Sequence, residues 1–169
     1  MKKWWIGLAA GLLLAGCASA GPAEPARPPE RFEAVGRLRC QGLEAQITLR
    51  RDGYDTFSFD SPQGLRGLHL TLDHSFVLME YAGLERRFTR GSLPENAAAE
   101  LILSALDRAQ EKGVGEKGEV PGEAFLLELE PDSGNILKLS IPDHGLVLEV
   151  QGFRKLEEKK KKKKVRALG

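Results

Sequence analysis

The sequence predicts a mainly β domain of the α+β kind: a single curled antiparallel sheet, a half-barrel of about nine strands, with one main helix packed on its concave face. Three observations carry this expectation. Between Phe32 and Arg154 most segments alternate apolar and polar residues with a period of two. Turn signals interrupt the alternation at short intervals, which joins strands as antiparallel neighbours. The period changes to that of a helix once, between Pro94 and Lys112, and then returns to two.

The chain opens with Lys2 and Lys3, followed by an apolar or small run from Trp4 to Ala15. A short charged start and a short apolar core have the form of a secretory signal, and the run is too short for a comfortable transmembrane span. It ends in Leu14-Ala15-Gly16-Cys17. These four residues resemble the lipobox of bacterial lipoproteins. The resemblance implies cleavage before Cys17 and acylation of its sulfur and new amine. Two or three acyl chains anchor firmly where one binds marginally. The expected organisation is a lipoprotein signal peptide at 1–16, a Pro/Ala-rich tether at 17–31, a β domain at 32–154 and a Lys-rich tail at 155–169. The tether, "ASAGPAEPARPP" from Ala18 to Pro29, has too little apolar surface to order itself.

Within the domain, "FEAVGRLRC" opens the sheet. In "LEAQITLRR" Leu43, Ala45, Ile47 and Leu49 share one face; in "YDTFSFD" Phe57 and Phe59 do, and in "GLHLTLD" Leu68, Leu70 and Leu72. Asp52-Gly53, Ser61-Pro62-Gln63-Gly64, Asp73-His74 and Ala82-Gly83 are the turns between them. "FVLMEY" is apolar on both faces, which predicts extra buried or ligand-facing surface. Ser92-Leu93-Pro94-Glu95 fits a capping box. Ala97, Ala98, Leu101, Ile102, Ala105, Leu106 and Ala109 then form one stripe on a helix running to Lys112 and Gly113. "AFLLELE", "ILKLSI" and "LVLEVQGF" complete the sheet.

This order of elements on an exported lipoprotein resembles the LolA/LolB superfamily of lipoprotein carriers. Three stretches carry the resemblance: "FEAVGRLRCQG" around Gly36-Arg37-Leu38, "FDSPQGLRGLHLTL", and "LEPDSGNILKLSI". It implies a curled half-barrel with a helical lid, and a carrier or chaperone that binds a hydrophobic ligand, an acyl chain or a lipoprotein. The candidate cleft is Phe57, Phe59, Leu101, Ile102, Ala105 and Leu106. LolA-like lipoproteins also occur in bacteria without an outer membrane, including ones acting in spore germination. A non-enzymatic interaction module with a self-filled interior is therefore the other reading.

Composition bounds the partners. The mature chain carries 23 basic and 24 acidic residues, but six of the basic ones are Lys159–Lys164. Without that run the balance is 17 against 24, about −7, and no basic face points to nucleic acid. The run itself suits an anionic surface. His69, His74 and His144 are not at metal-ligand spacing, no catalytic motif is recognisable, and nothing in the sequence asks for a cofactor. Cys40 reads as a buried thiol used as a small hydrophobe. The expected location is the bacterial cell envelope, with the chain held by its lipid on the outer face of the cytoplasmic membrane or in the outer membrane.

Overall fold

The structure, a computed structural model, describes residues 25–157. The signal peptide, Cys17 and Lys159–Lys164 lie outside the described residues. Nine strands form one antiparallel sheet: β1 (Phe32–Cys40), β2 (Leu43–Arg51), β3 (Asp55–Phe59), β4 (His69–Leu72), β5 (Phe76–Tyr81), β6 (Leu84–Thr89), β7 (Leu126–Leu129), β8 (Ile136–Ile141) and β9 (Leu146–Lys155). Their order is β6-β5-β4-β3-β2-β1-β9-β8-β7, so the sheet is open, with β6 and β7 as its edges. The first six strands are a meander. The last returns beside the first, antiparallel to it.

Register turns the alternation of the sequence into one apolar face. Ala34 lies opposite Leu49, Leu49 opposite Phe57, Phe57 opposite Leu70, and Leu70 opposite Met79. On the other side of β1, Leu38 pairs with Leu148, Leu148 with Leu139, and Leu139 with Leu127. Every strand except β6 contributes at least one buried residue to a single core. Gly36 is required where β1 meets β9. A bulge falls between Val35 and Gly36, and a Cβ on Gly36 would stand 2.4 Å from the Glu149 carbonyl oxygen.

The one α-helix among the described residues, α1 (Ala98–Lys112), buries Ala99, Ile102, Leu103, Ala105, Leu106 and Ala109 in that same core. The stripe is rotated from the one expected: Ala99 and Leu103 face inward, while Leu101 is only partly buried. The expected capping box does not form. The Ser92 hydroxyl donates to the Thr89 carbonyl at 2.7 Å, within a short 3-10 turn at Arg90–Ser92. Pro94 closes a separate turn that accepts the Ala97 N–H at 2.9 Å. The helix starts four residues later than expected, with Ala97 as an N-cap that has no side-chain hydrogen bond. Two arginines tie the helix down, one at its first turn and one at its third. Arg90 grips Glu100 through both carboxylate oxygens at 3.1 and 3.0 Å, and Arg51 of β2 reaches Asp107 at 2.6 Å.

The domain also begins earlier than residue 32. Val114 donates its N–H to the Ala26 carbonyl at 2.7 Å, and Pro28 is buried. Proline needs no donor partner, so this segment docks with few backbone groups to satisfy. No described helix is long and apolar enough to cross a membrane.

Candidate functional site

The six residues expected to line a cleft occupy three different settings. Phe57, Ile102, Ala105 and Leu106 are buried in the core between helix and sheet. Phe59 is half-buried at the border of the helix's cover, opposite the fully buried Ile47. Leu101 faces outward enough to line surface grooves on two sides of the helix. The helix therefore brings four of the six together as packing, and two at its margins.

The concavities resolved around the helix lie at its outer margins. The larger, about 520 Å³, runs between the Arg90–Leu93 turn and the helix, where Arg90, Glu100 and Arg108 make it strongly charged. A smaller groove of about 210 Å³ has an apolar floor of Leu101, Ala105, Phe125 and Ile141, with Arg108, Asp143 and His144 among its polar rim.

Past the helix the inward face of the sheet stays apolar but loses its cover. In the β5–β6 hairpin Met79 is opposite Arg86 and Tyr81 opposite Leu84, on the same side as the buried Val77. Leu84 is 76% exposed, the most exposed large apolar side chain of the domain. With Met79, Tyr81 and Arg86 it lines a shallow, almost wholly apolar concavity of about 210 Å³. The Tyr81 hydroxyl donates to the Gly64 carbonyl at 2.9 Å, fixing the hairpin against the Ser61–Gly67 loop. Sequence reading missed Leu84. The available signal was a leucine directly after the Ala82-Gly83 turn, a position that projects from a hairpin tip.

The apolar residues on the opposite face of β5 have a local explanation. The Arg87 guanidinium sits over the Phe76 ring at 4.0 Å, and Leu78 pairs with Arg87 in register. A cation over a ring face shelters it without a ligand.

Titratable groups fall into separate places. Arg51 also binds Asp55 at 2.9 Å beneath the helix, where burial pushes the Asp55 carboxyl above its ordinary range against the opposing pull of Arg51. At the neighbouring turn, hydrogen bonds from Arg50 and then Arg31 hold Asp52 below the usual carboxylate range. Burial pushes the Cys40 thiol up, which keeps it protonated and poorly nucleophilic. His69 shares a hydrogen bond with the Ser58 hydroxyl at 2.9 Å on the outer face, and His144 sits by Asp143 on the groove rim. Among the described residues no three His, Cys, Asp or Glu side chains gather as a metal site.

No protein-family model matches this chain, and no curated protein matches it.

Proposed function

We propose that this chain is a lipid-anchored protein of the bacterial envelope that works without catalysis, as an interaction module with a LolA/LolB-like fold. Its own side chains fill the space beneath the helix. The open, apolar end of the β4–β6 face receives an apolar group of an envelope partner. The observation that carries this reading is the contrast along one face, from Phe57 sealed under the helix to Leu84 exposed at the hairpin tip. A water-soluble surface has no need of a preformed apolar concavity at a rigid hairpin end, whereas a partner's apolar anchor does.

Three further points support it. The lipobox-like Leu14-Ala15-Gly16-Cys17 supplies the anchor. The order of elements, a six-strand meander, one helix, then three strands returning to β1, suits the half-barrel of that superfamily. A helix of 15 residues spans about 22 Å, whereas nine flat strands would span about 40 Å. Buried residues on eight strands therefore favour a sheet that curls, concave toward the helix.

A second reading, carriage of free acyl chains, is favoured by the apolar floor at Leu101, Ala105, Phe125 and Ile141. Two measurements separate them. A photo-crosslinking residue in place of Leu84 should trap a discrete envelope partner in cells, and one in place of Glu44 should not. The purified parent protein should take up no fluorescent fatty acid. Stoichiometric uptake, abolished by Ala105→Trp, would replace the interaction module with the carrier.

A further inference from the structure

The two edges of the sheet end differently. The backbone of β7 is covered: the Leu127 N–H donates to the Gly118 carbonyl at 2.7 Å, and Glu119 bridges to Leu126. The edge of β6 has no such cover among the described residues. Its phase is fixed at both ends. Tyr81 pairs with Leu84 across a two-residue turn in which Ala82 and Gly83 both have positive φ, and the Arg90 N–H donates to the Ser75 carbonyl at 3.1 Å. Hydrogen-bonded pairs alternate along an antiparallel ladder, so Leu84, Arg86 and Phe88 direct their backbone groups to β5. Glu85 and Arg87 turn theirs outward. The next outward carbonyl, that of Thr89, already accepts the Ser92 hydroxyl at 2.7 Å.

The side chains of that edge complement themselves. A second copy added about a two-fold axis perpendicular to the sheet keeps each face continuous. Registers centred on Glu85 or Arg87 then put like charges opposite each other. The register centred on Arg86 sets Glu85 against Arg87 of the second copy, twice, on the outer face. On the inner face it sets Leu84 against Phe88 of the second copy, also twice. It forms about four backbone hydrogen bonds and ends short of the Arg90–Ser92 turn. None of the ion pairs among the described residues uses Glu85, Arg86 or Arg87, so these charges are available. The one like-charge contact is Arg86 with its own copy on the axis, where each guanidinium lies 5.1 Å from the Phe88 ring centroid of its own chain. Opposite charges facing across strands favour pairing and like charges oppose it, so the paired Glu–Arg and Leu–Phe contacts outweigh the single Arg–Arg contact. We propose that two copies of this chain join β6 to β6 in this register, making one continuous sheet in which Phe88 of each copy covers Leu84 of the other. The inference rests on the interaction-module reading above and names its partner.

The test is made in cells that express the full chain. With a photo-crosslinking residue in place of Leu84, the adduct should have twice the mass of the chain. Glu85→Arg alone and Arg87→Glu alone should each lower its yield about tenfold, because each sets like charges opposite each other, and the double variant, which swaps the pair, should restore it. The axis gives a second measurement. Residues facing each other in a non-hydrogen-bonded pair lie about 4.5 Å apart at Cα, within disulfide range, so Arg86→Cys should yield a disulfide-linked dimer. Leu84→Cys should not, because its counterpart lies four residues along the ladder, about 13 Å away. Cys40 is buried, which leaves the introduced thiol as the reactive one. Arginines that serve only to keep edge strands apart would give no dimer from Arg86→Cys and no rescue by the double variant, which overturns the proposal. Equal disulfide yields from the two cysteines overturn it as well. An adduct of any other mass from position 84 overturns the second copy and leaves the interaction module standing, whereas no adduct at all overturns both.

Discussion

Phe57 and Leu84 lie on the same face of one sheet, yet Phe57 is 1% exposed and Leu84 76%. Both strands put apolar residues on that face, Phe57 and Phe59 in β3 and Leu84 and Phe88 in β6, although Arg86 interrupts the second. What differs is the cover. Phe57 lies in the core that α1 closes with Ile102, Leu103 and Leu106, and Leu84 lies beyond its reach. One 15-residue helix cannot shelter nine strands, so part of an apolar face is left over, at the β5–β6 edge. The covered region carries stability, and the uncovered one is the docking surface of the function proposed above. This division is why a substitution under the helix and one at the hairpin tip should behave as though they belonged to different proteins.

The comparison breaks most visibly at Phe57. Phe57→Ala should cost about 3–5 kcal/mol in chemical unfolding, because the ring is buried and the neighbouring strands cannot collapse into its space. A loss under about 1 kcal/mol would mean that the helix does not seal this face. Next in size is Gly36→Ala, expected to cost on the order of 1–3 kcal/mol, since the new methyl meets the backbone of β9 rather than a movable side chain. An unchanged unfolding midpoint would place the β1–β9 bulge elsewhere.

Two carboxylates sharpen the comparison with opposite signs. Asp52 is lowered by Arg50 and Arg31, so its contribution is present above about pH 4 and is lost as pH falls through its depressed folded value. Asp52→Asn should therefore lower the melting temperature at pH 7 and leave it nearly unchanged near pH 2. Asp55, under the helix, is raised by burial, so its contribution is present at acid pH and lost as pH rises through its folded value. Asp55→Asn should compare with the parent better at pH 7 than at pH 3. The same pH trend for both variants would show that burial does not distinguish the two sites.

The smallest stability effect belongs to the tip. Leu84→Asp should change stability by less than about 0.5 kcal/mol, because the side chain is already in water. It should nevertheless abolish the crosslinked partner seen from a neighbouring hairpin position such as Glu85. A clear drop in melting temperature would make Leu84 part of the core after all.

Much of this arrangement is legible in the sequence. Period-two alternation in "LEAQITLRR" and "ILKLSI" marks strands whichever neighbours they find, because successive side chains of a strand must point to opposite faces. Turn residues such as Asp52-Gly53 set antiparallel neighbours for the same local reason, and the helical spacing from Ala98 to Ala109 needs no partner to be recognised.

The rest was settled by what those elements meet. The helix begins at Ala98 rather than Pro94 because Arg90 and the Pro94 turn hold the preceding residues, and no local cap signal reports a clamp formed with Glu100. Its inward stripe turned toward Ala99 and Leu103 because seating on the sheet, not periodicity alone, chooses the buried arc. Pro25–Arg31, composed like a tether, joined the domain because Val114 offered the Ala26 carbonyl a donor. Whether an apolar residue becomes core or contact surface depends on the area a neighbouring element can cover. That area is a property of the folded whole, which is why Phe57 is sealed while Leu84, on the same face of the sheet, is left in water.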